Sequence, residues 1–474
     1  MSKRFLDRRW PWVAAAAAIV AALLLSMVEV TAPGGSDARP RGSVDDIARL
    51  GERTDLNVLF VLIDTLRADR LGAYGYERDT SPELDRMAST GVRFARHLAQ
   101  SSWTKCSMAS LWTGLYPARS GITRFDEVIP GEARLPAEIL KEAGYRTVGL
   151  YRNGWVSSNF GFDQGFDVYT RPAARPRPPN IRAENPTVTA RGTDEDTLAT
   201  AIEFLRVEGR QRWFLYLHLM DVHEYVYDQL SARFGATYSD IYDNSILWTD
   251  HVIGALVSHL EEQGYADNTL IVISADHGEA FQERGFEGHA RWVYKETTEV
   301  PFILAFPFRL EPGVVVEART RNVDIWPTVL DLIGLEAPPA TDGHSLVPEI
   351  LAAARGESSP NGERTGVAHL DQHWSQEEGP PRPTVAVVDG AFRYVRVQLP
   401  RGGAVAEQLF DASSDPRELE DLADEQPEAL SRLRTIADAY LATTPPWDET
   451  PTVEIDEMEL NQLRALGYAV PGDR

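Results

Sequence analysis

Four stretches of this chain share one pattern, in which an amphipathic helical segment leads into an apolar, strand-like segment. They lie at residues 82–94, 135–151 and 194–219, and residues 244–264 open a fourth before an apolar run near residue 270. Parallel strands need long crossover connections, which are usually helices. The alternation therefore predicts an α/β fold, with a mostly parallel sheet and helices on both faces.

The chain changes character after about residue 366. Residues 384–399 predict a β-hairpin around Asp389 and Gly390, because Asp-Gly between two apolar runs is a strong hairpin signal. We expect a small antiparallel sheet and a terminal helix in a subdomain at residues 366–474. A catalytic α/β domain is expected at residues 55–365. With 474 residues, the chain is long enough for both.

Two apolar runs end in acidic residues. Residues 58–63 precede Asp64, and residues 270–275 precede Asp276 and His277. The carboxyl ends of parallel strands are where open α/β sheets bind their ligands. An Asp after a strand can also cap the next helix. Two such strands, one of them followed by His-Gly, are harder to explain by capping alone.

Residues 101–121, SSWTKCSMASLWTGLYPARSG, predict a nucleophile at the start of a buried helix, with Thr104 as the candidate. A threonine hydroxyl needs a base or a metal to become nucleophilic at neutral pH, and no base adjoins it in the sequence. The candidate metal ligands are the Thr104 oxygen, Asp64, Asp276 and His277. Hard oxygens with one imidazole suit a divalent Mg, Mn, Ca or Zn ion.

The same run resembles the signature of the sulfatase family in the alkaline phosphatase superfamily, C-x-P-S-R-x-x-L-x-T-G. Alignment on Leu111, Thr113 and Gly114 puts Thr104 where that family has the cysteine that becomes formylglycine. Met108 then stands at the position of the family's arginine. Further similar segments follow in the family's order, at residues 160–169, 216–228, 287–307, 322–346 and 407–423.

A second register starts the motif at Cys106, the chain's one cysteine. Met108 then replaces the Pro or Ala of the maturation signal, Ser110 replaces its Arg, and the downstream Leu-x-Thr-Gly is out of step. We favour Thr104, and we interpret Cys106 as a small buried side chain beside the site.

The resemblance implies an alkaline-phosphatase/sulfatase-like fold, with a mostly parallel sheet sandwiched by helices and a small C-terminal antiparallel sheet. Asp64 matches the family's first metal aspartate, and Asp276 with His277 matches its later Asp-His pair. The chain departs from the family at Thr65, where many sulfatases carry a second metal aspartate. With a threonine in the nucleophile slot, it looks more like the branch of phosphodiesterases, phosphoethanolamine transferases and lipoteichoic-acid synthases.

Four further residues are candidates for substrate contacts. His289 lies in a segment similar to the family's Gly-His region, and we expect it, or His223, to donate a proton to the leaving oxygen. Asp221 and His223 are also candidates for contacts to substrate or a second metal. Lys105, beside the nucleophile, either holds the substrate anion or faces solvent. His218, inside an apolar run, is explained equally well as a hydrogen-bonded core histidine.

The predicted function is a metal-dependent hydrolase or transferase that acts on phosphate or sulfate esters through Thr104. Phosphoester or phosphodiester chemistry is favoured, because formylglycine releases sulfate through its gem-diol and threonine cannot. The alternatives are a sulfatase proper and a non-catalytic binding protein with this fold. The expected partners are anionic esters, such as lipid head groups or cell-envelope polymers. The net charge of −24 argues against nucleic acid.

The first 30 residues predict a membrane anchor or a signal segment. Basic residues precede an uncharged run at residues 10–28, about 19 residues long and just enough to span a bilayer. We favour an uncleaved anchor with the catalytic domain outside the cytoplasm. A cleaved signal peptide, giving an exported or periplasmic protein, is the alternative. Residues 31–54 are the expected linker, and the Pro- and Arg-rich residues 174–186 are expected at the substrate entrance.

Overall fold

The computed structural model describes residue 37 and residues 39–174, 192–376, 379–398 and 405–455. The chain divides into two units, residues 1–38 and 39–474, and the description below concerns the second. The predicted anchor at residues 1–30 and residues 175–186 of the proposed entrance loop lie outside the described residues. The predicted domain boundaries stay a prediction.

The central sheet has eight strands and is mostly parallel. The first ten strands in chain order are β1 (Asn57–Ile63), β2 (Val92–Leu98), β3 (Arg146–Tyr151), β4 (Val168–Thr170), β5 (Trp213–Leu219), β6 (Thr269–Ser274), β7 (Ala280–Phe281), β8 (Glu287–Gly288), β9 (Phe302–Ala305) and β10 (Val314–Arg321). The sheet order is β10-β2-β9-β6-β1-β5-β3-β4, and β7 pairs with β8 separately. Strand β9 runs antiparallel to both of its neighbours, and the other adjacent strands run parallel.

Helices precede the strands as the alternation predicts. They are α1 (Val44–Ala48), α2 (Pro82–Thr90), α3 (Thr104–Thr113), α4 (Pro117–Ser120), α5 (Pro136–Glu142), α6 (Asp194–Glu208), α7 (Tyr238–Glu262), α8 (Lys295–Thr298), α9 (Ile325–Leu332), α10 (Val347–Ala354) and α11 (Pro427–Leu441). Single 3₁₀ turns lie at Leu50–Glu52, Ala68–Arg70, Gly72–Tyr74, Gly154–Val156, Ser158–Phe160, Ala266–Asn268 and Asn322–Asp324. The four predicted helix–strand units are confirmed as α2-β2, α5-β3, α6-β5 and α7-β6.

Strand β1 contributes to a hydrophobic core on each face of the sheet. Phe60 and its alternate neighbours pack in the core that also contains Trp112 of α3. Val61 and its alternate neighbours pack in a second core with Ile253 of α7. Side chains of a strand alternate between faces, so a strand buried on both sides is apolar throughout, as β1 is. The two cores confirm helices on both faces of the sheet.

The C-terminal sheet is antiparallel, as predicted. Its strands, in order, are β11 (Gly366–Asp371), β12 (Pro383–Asp389), β13 (Phe392–Gln398) and β14 (Val405–Asp411). Strands β12 and β13 form the hairpin expected around Asp389 and Gly390, with Gly390 at φ +60°. Helix α11 packs on this sheet through Leu433, which shares a core with Val385.

The predicted location at a membrane is wrong. Among the residues that the structure describes, no helix combines the length and the apolar character needed to cross a bilayer. A spanning helix needs about 20 predominantly apolar residues. The 25-residue helix α7 instead carries acidic residues, among them Asp240, Asp243 and Asp250. The run at residues 10–28, from which the anchor was predicted, lies outside the described residues. The prediction of a membrane-anchored protein is therefore withdrawn.

Candidate active site

Two neighbouring strands and one helix bring the four predicted metal ligands together. Asp64 directly follows β1, and Asp276 and His277 lie two and three residues after the end of β6. Strands β1 and β6 are parallel and adjacent, so their carboxyl ends lie side by side. Thr104 is the first residue of α3, a helix whose residues are all buried. Asp64, Thr104, Asp276 and His277 are themselves fully buried.

The Thr104 hydroxyl contacts a histidine nitrogen. Its Oγ1 lies 3.1 Å from Nε2 of His277, and Nδ2 of Asn153 donates to it at 3.3 Å. Because Nδ1 of His277 donates to the Gly278 carbonyl at 3.0 Å, the lone pair of this imidazole is on Nε2. The hydroxyl therefore donates to His277, which supplies the acceptor that the neighbouring sequence of Thr104 lacks.

Asp64, Asp276 and His277 fit a divalent cation. One atom from each of the three side chains lies within 4.8 Å of the other two. Oδ1 of Asp64 and Oδ2 of Asp276 are buried without a hydrogen-bond partner among the described residues. Buried carboxylate oxygens in this condition are unfavourable unless a cation neutralises them. Two carboxylates and one imidazole nitrogen suit Mg, Mn, Ca or Zn.

The two carboxyl groups differ in pKa. Burial raises the pKa of Asp64, but its electrostatic interactions with the imidazoles of His223, His218 and His277, including a hydrogen bond from His218, outweigh burial and lower it well below its usual range. Burial, followed by the negative charge of Asp64, raises the pKa of Asp276. The pair therefore holds one negative charge more readily than two, and a bound cation would allow both to ionise.

Asn153 and His218 orient Asp64. Nδ2 of Asn153 donates to Oδ2 of Asp64 at 2.6 Å, and Nε2 of His218 donates to the same oxygen at 3.1 Å. The hydroxyl of Tyr216 donates to Nδ1 of His218 at 2.7 Å. His218 is thus a hydrogen-bonded core histidine that also contacts the site. Asn153 was missed in the sequence, although its place two residues after the carboxyl end of β3 is the signal that could have found it.

Two further predicted residues lie beside this group. The ring centre of His289 is 4.6 Å from that of His277 and 5.0 Å from that of His223. Nδ1 of His289 lies 3.1 Å and 3.2 Å from the two carboxylate oxygens of Glu279. Glu279 was also missed, and its signal is the acidic residue at the end of the sequence Asp-His-Gly-Glu.

The two histidines differ in pKa. Burial lowers the pKa of His289, but the charge of Glu279 outweighs burial and raises it above the usual value. Burial lowers the pKa of His223 to about 4. His289 therefore holds a proton near neutral pH more readily than His223 does.

The structure does not bring Lys105 or Asp221 to the reacting hydroxyl. Nζ of Lys105 is fully buried, donates to the Phe125 carbonyl at 2.5 Å and lies 3.7 Å from the ring centre of Phe160. It does not face solvent, contrary to one of the two expectations, and its role toward a substrate anion stays a prediction. Asp221 accepts from Arg152 at 2.5 Å and from the indole of Trp248 at 2.8 Å.

Cys106 and Met108 occupy the interior of α3. Burial raises the pKa of the Cys106 thiol to about 12, so the thiolate needed for reaction is scarce at neutral pH. Met108 is fully buried in the hydrophobic core. Thr65 supplies no carboxylate either, and its N–H instead donates to Oδ1 of Asp276 at 3.2 Å. These positions agree with the register that begins at Thr104.

Comparisons with known proteins match nearly the whole described chain. The family model Sulfatase matches residues 56–335, and a model of the N-sulphoglucosamine sulphohydrolase C-terminal region matches residues 283–435. N-acetylgalactosamine-6-O-sulfatase of Bacteroides thetaiotaomicron is 24% identical over 496 residues, covering 81% of this chain and 92% of the relative. Arylsulfatase K of Xenopus laevis is 23% identical over 431 residues, covering 75% and 78%.

Solved structures show the same fold. A putative sulfatase from Bacteroides thetaiotaomicron superposes with a TM-score of 0.68 at 20% identity, covering 82% of this chain and 92% of that chain. A phosphonate monoester hydrolase from Silicibacter pomeroyi superposes with a TM-score of 0.63 at 24% identity, covering 81% and 94%.

Proposed function

Because this chain belongs to the sulfatase family, and is on that ground a hydrolase that acts on ester bonds, we propose that Thr104 is its nucleophile and that phosphate esters or phosphodiesters are its substrates. One observation carries the proposal. The Thr104 hydroxyl is buried at the start of α3, 3.1 Å from Nε2 of His277. The same site holds two carboxylates, each with one oxygen that has no hydrogen-bond partner among the described residues.

A divalent cation belongs to this proposal. Its ligands would be Asp64, Asp276, His277 and the Thr104 oxygen. When bound, it would lower the pKa of the Thr104 hydroxyl and neutralise charge on the substrate anion. Mg, Mn, Ca and Zn are all compatible with these ligands.

The chain's own groups would position and transfer the phosphoryl group. Asn153 holds the Thr104 oxygen, which attacks phosphorus in line with the leaving oxygen. The first-turn N–H groups of α3 have no acceptor within their helix, so they can stabilise the equatorial oxygens. His289 or His223 protonates the leaving oxygen. Water or an acceptor alcohol then attacks the Thr104 phosphoester, and the bond from phosphorus to Thr104 breaks.

Phosphorus is favoured over sulfur by the chemistry of threonine. A sulfated formylglycine gem-diol can release sulfate by collapse to the aldehyde, whereas a threonine ester has no such route. Met108 also leaves the position of the family's arginine without a positive charge. The fold does not choose between them, since similar structures include sulfatases and a phosphonate monoester hydrolase.

A sulfatase proper is the second candidate. The curated relatives carry sulfatase names, including N-acetylgalactosamine-6-O-sulfatase and arylsulfatase K. Anionic esters are the substrate class in either case. Lipid head groups and cell-envelope polymers stay a prediction. The juxtaposition of Thr104 with the three other candidate ligands argues against a binding protein without activity.

Turnover of matched aryl substrates tests the proposal. The full chain is supplied with Mn, Zn, Ca or Mg and assayed on p-nitrophenyl phosphate, bis(p-nitrophenyl) phosphate and p-nitrophenyl sulfate. We expect phosphodiester or phosphoester turnover that falls at least about 1,000-fold in Thr104→Ala, in keeping with loss of a nucleophile. Thr113→Ala, the same substitution at the other end of α3, is the control and should keep the activity.

A second observation identifies the nucleophile directly. Rapidly quenched protein should carry a phosphoryl group on the peptide that contains Thr104, found by mass spectrometry. Sulfate turnover that survives Thr104→Ala would refute the proposal and place the nucleophile elsewhere.

A further inference from the structure

A short hairpin places Glu279 opposite His289. Strands β7 and β8 pair Phe281 with Glu287 and Ala280 with Gly288. Continuing this antiparallel register by one residue brings Glu279 against His289. Both carboxylate oxygens of Glu279 accordingly lie within 3.2 Å of Nδ1 of His289.

Glu279 is fixed on its own side of this contact. Its side chain is 3% exposed, so few alternative rotamers are open to it. Its backbone carbonyl accepts from Nη1 of Arg67 at 2.9 Å. Arg67 is held in turn by Asp69 at 2.7 Å and by Glu283 at 2.5 Å. The Glu279 carboxylate is therefore held in a fixed position where it contacts Nδ1 of His289.

His289 is held through its neighbours as well. Gly288 and Ala290 both adopt left-handed backbone conformations, with φ +90° and φ +55°. The Ala290 N–H donates to the carbonyl of Ser102 at 2.7 Å, two residues before Thr104. A left-handed alanine is unfavourable by about 1 kcal/mol and persists only where its surroundings hold it. The backbone of His289 is thus anchored to the segment that carries the nucleophile.

The contact with Glu279 decides which nitrogen of His289 can serve the substrate. Because Nδ1–H is donated to the carboxylate, a proton given to a substrate must come from Nε2. The His289 ring lies 4.6 Å from the His277 ring, and Nε2 of His277 is 3.1 Å from Oγ1 of Thr104. His289 is therefore a neighbour of the atoms at which an ester would react.

We propose that Glu279 is a positioning residue that holds His289, rather than His223, as the proton donor to the leaving oxygen. This inference rests on the proposed function. As the bond from Thr104 Oγ1 to phosphorus forms, the bond from phosphorus to the leaving oxygen breaks, and its electron pair stays on that oxygen. The Nε2 proton of His289 moves to the leaving oxygen, which departs as a neutral alcohol. His289 keeps its Nδ1–H toward Glu279.

Leaving groups of different basicity test the assignment. A p-nitrophenolate leaving group is weakly basic and departs without being protonated, whereas an alkoxide leaving group needs a proton to depart. We assay the metal-loaded full chain on p-nitrophenyl and alkyl phosphodiesters. We expect His289→Asn to lose about 100-fold on the alkyl ester, and Glu279→Gln about ten-fold, with both within about three-fold of wild type on the p-nitrophenyl ester. Combining the two should be no worse than His289→Asn alone.

Two comparisons make the result specific. Glu287→Gln removes an exposed carboxylate from the same hairpin and should leave both activities unchanged. His223→Asn should show no selective loss on the alkyl ester. Equal losses on both esters in Glu279→Gln, or a selective loss in His223→Asn instead of His289→Asn, would overturn the inference. Should Glu279→Gln not fold, Glu279→Asp allows the same comparison with a smaller selective loss.

The inference and the proposed function fail differently. Turnover that Thr104→Ala does not reduce refutes the nucleophile. Turnover that depends on Thr104 but shows no leaving-group selectivity in Glu279→Gln refutes the positioning role alone. A readout without turnover is the Nδ1 proton of His289, observed by NMR in protein with ¹⁵N-labelled histidine. This proton should lie far downfield in wild type and move upfield in Glu279→Gln, and an unchanged resonance contradicts the inference whatever the activity.

Discussion

The Thr104 hydroxyl and Nε2 of His277 lie 3.1 Å apart although 173 residues separate them in the chain. Thr104 begins α3, and His277 follows β6 at the carboxyl edge of the sheet. Ser107, one turn along α3, donates to the backbone carbonyl of Asp276 at 2.5 Å and so ties the helix to the end of β6. The contact between the Thr104 hydroxyl and the His277 imidazole therefore depends on how a whole helix packs against a strand end.

Substitution of Cys106 should leave the reaction intact. For Cys106→Ala we expect kcat/KM within about three-fold of wild type, because the thiol is buried, has a raised pKa and donates to the backbone carbonyl of His369 at 3.8 Å. Steady-state kinetics check this, and mass spectrometry of the wild-type peptide should show an unmodified cysteine. A formylglycine at position 106 would mean that the register begins there.

Neutralising Asp276 should stabilise the metal-free protein while abolishing its function. Burial, followed by the negative charge of Asp64, raises the pKa of Asp276, and Asp276→Asn relieves both unfavourable effects. Once metal has been removed with a chelator, we expect the free energy of unfolding of Asp276→Asn at pH 7 to exceed that of wild type by about 1 kcal/mol. Added Mn should stabilise wild type and should not stabilise Asp276→Asn.

Asp324→Asn is the matched control for Asp276→Asn. Asp324 is also fully buried, but its carboxylate accepts from the Arg321 guanidinium at 2.7 Å and 2.8 Å. Neutralising Asp324 therefore leaves the buried charge of Arg321 without this carboxylate. It should destabilise the protein by about 3 kcal/mol with or without metal. If Asp276→Asn instead destabilises the chelated protein, the Asp276 carboxylate is paired with a positively charged side chain and not with a metal ion.

Removal of Asn153 should weaken metal binding and turnover together. Asn153→Ala deletes the donor that holds both Asp64 and Thr104, and residues that orient ligands are typically worth about 10- to 100-fold in affinity or activity. Metal titration by calorimetry and kcat measure the two losses. Asn244→Ala, which removes a buried amide bonded to Phe234 and Arg233, should reduce stability and leave metal affinity unchanged.

Replacing Lys105 should have little effect on catalysis. Burial lowers its pKa well below the usual range, so the folded state must either bury a charge or give up a proton. We expect Lys105→Met to raise the free energy of unfolding at pH 7 by about 1 kcal/mol and to keep KM within about three-fold. A large rise in KM for anionic substrates would restore the anion-binding role.

Acid should destabilise the protein partly through His369. Burial lowers the pKa of this histidine from 6.5 to about 4, and its Nδ1 contacts the Tyr440 hydroxyl at 2.9 Å. The unfolded chain takes up the proton near pH 6.5 and the folded chain only near pH 4, so stability is lost as the pH falls between these values. Between pH 7 and pH 5 the loss amounts to about 2 kcal/mol.

Urea unfolding at the two pH values checks the His369 prediction. His369→Gln cannot take up the proton, and its stability should fall less than that of wild type by the same amount. Equal falls in the two proteins would show that the folded state protonates His369 as readily as the unfolded chain does.

Sequence reasoning placed the two acidic candidate ligands side by side because strand ends have a fixed place in an α/β sheet. Asp64 and Asp276 follow runs that could only be buried strands, and their proximity follows from parallel pairing. Asn153 follows the end of β3 and Glu279 follows Asp-His-Gly, but these signals are weaker, because an amide or an acid in a turn is usually a turn-forming residue. Their roles depend on contacts across 89 residues for Asn153 with Asp64 and 10 residues for Glu279 with His289.

Two other features depended on tertiary packing. The antiparallel direction of β9 is not contained in the periodicity of four apolar residues. The burial of Lys105 depends on contacts with Phe125 and Phe160, and the sequence around Thr104 does not indicate that these residues are its neighbours. Charge predicted a lysine that faces solvent or substrate, and long-range packing excludes the solvent-facing alternative.

Strand β1 supplies alternate side chains to two separate cores and ends beside the candidate metal ligand Asp64. Inserting one residue in this strand would turn every following side chain to the opposite face and send the carboxylate away from Asp276. Inserting two would restore the faces but displace the carboxylate by about 6.6 Å along the strand. The register of this seven-residue strand therefore sets both the packing of the two cores and the position of the Asp64 carboxylate. A change that displaced the carboxylate along or across the sheet would also disrupt the packing that folds the protein.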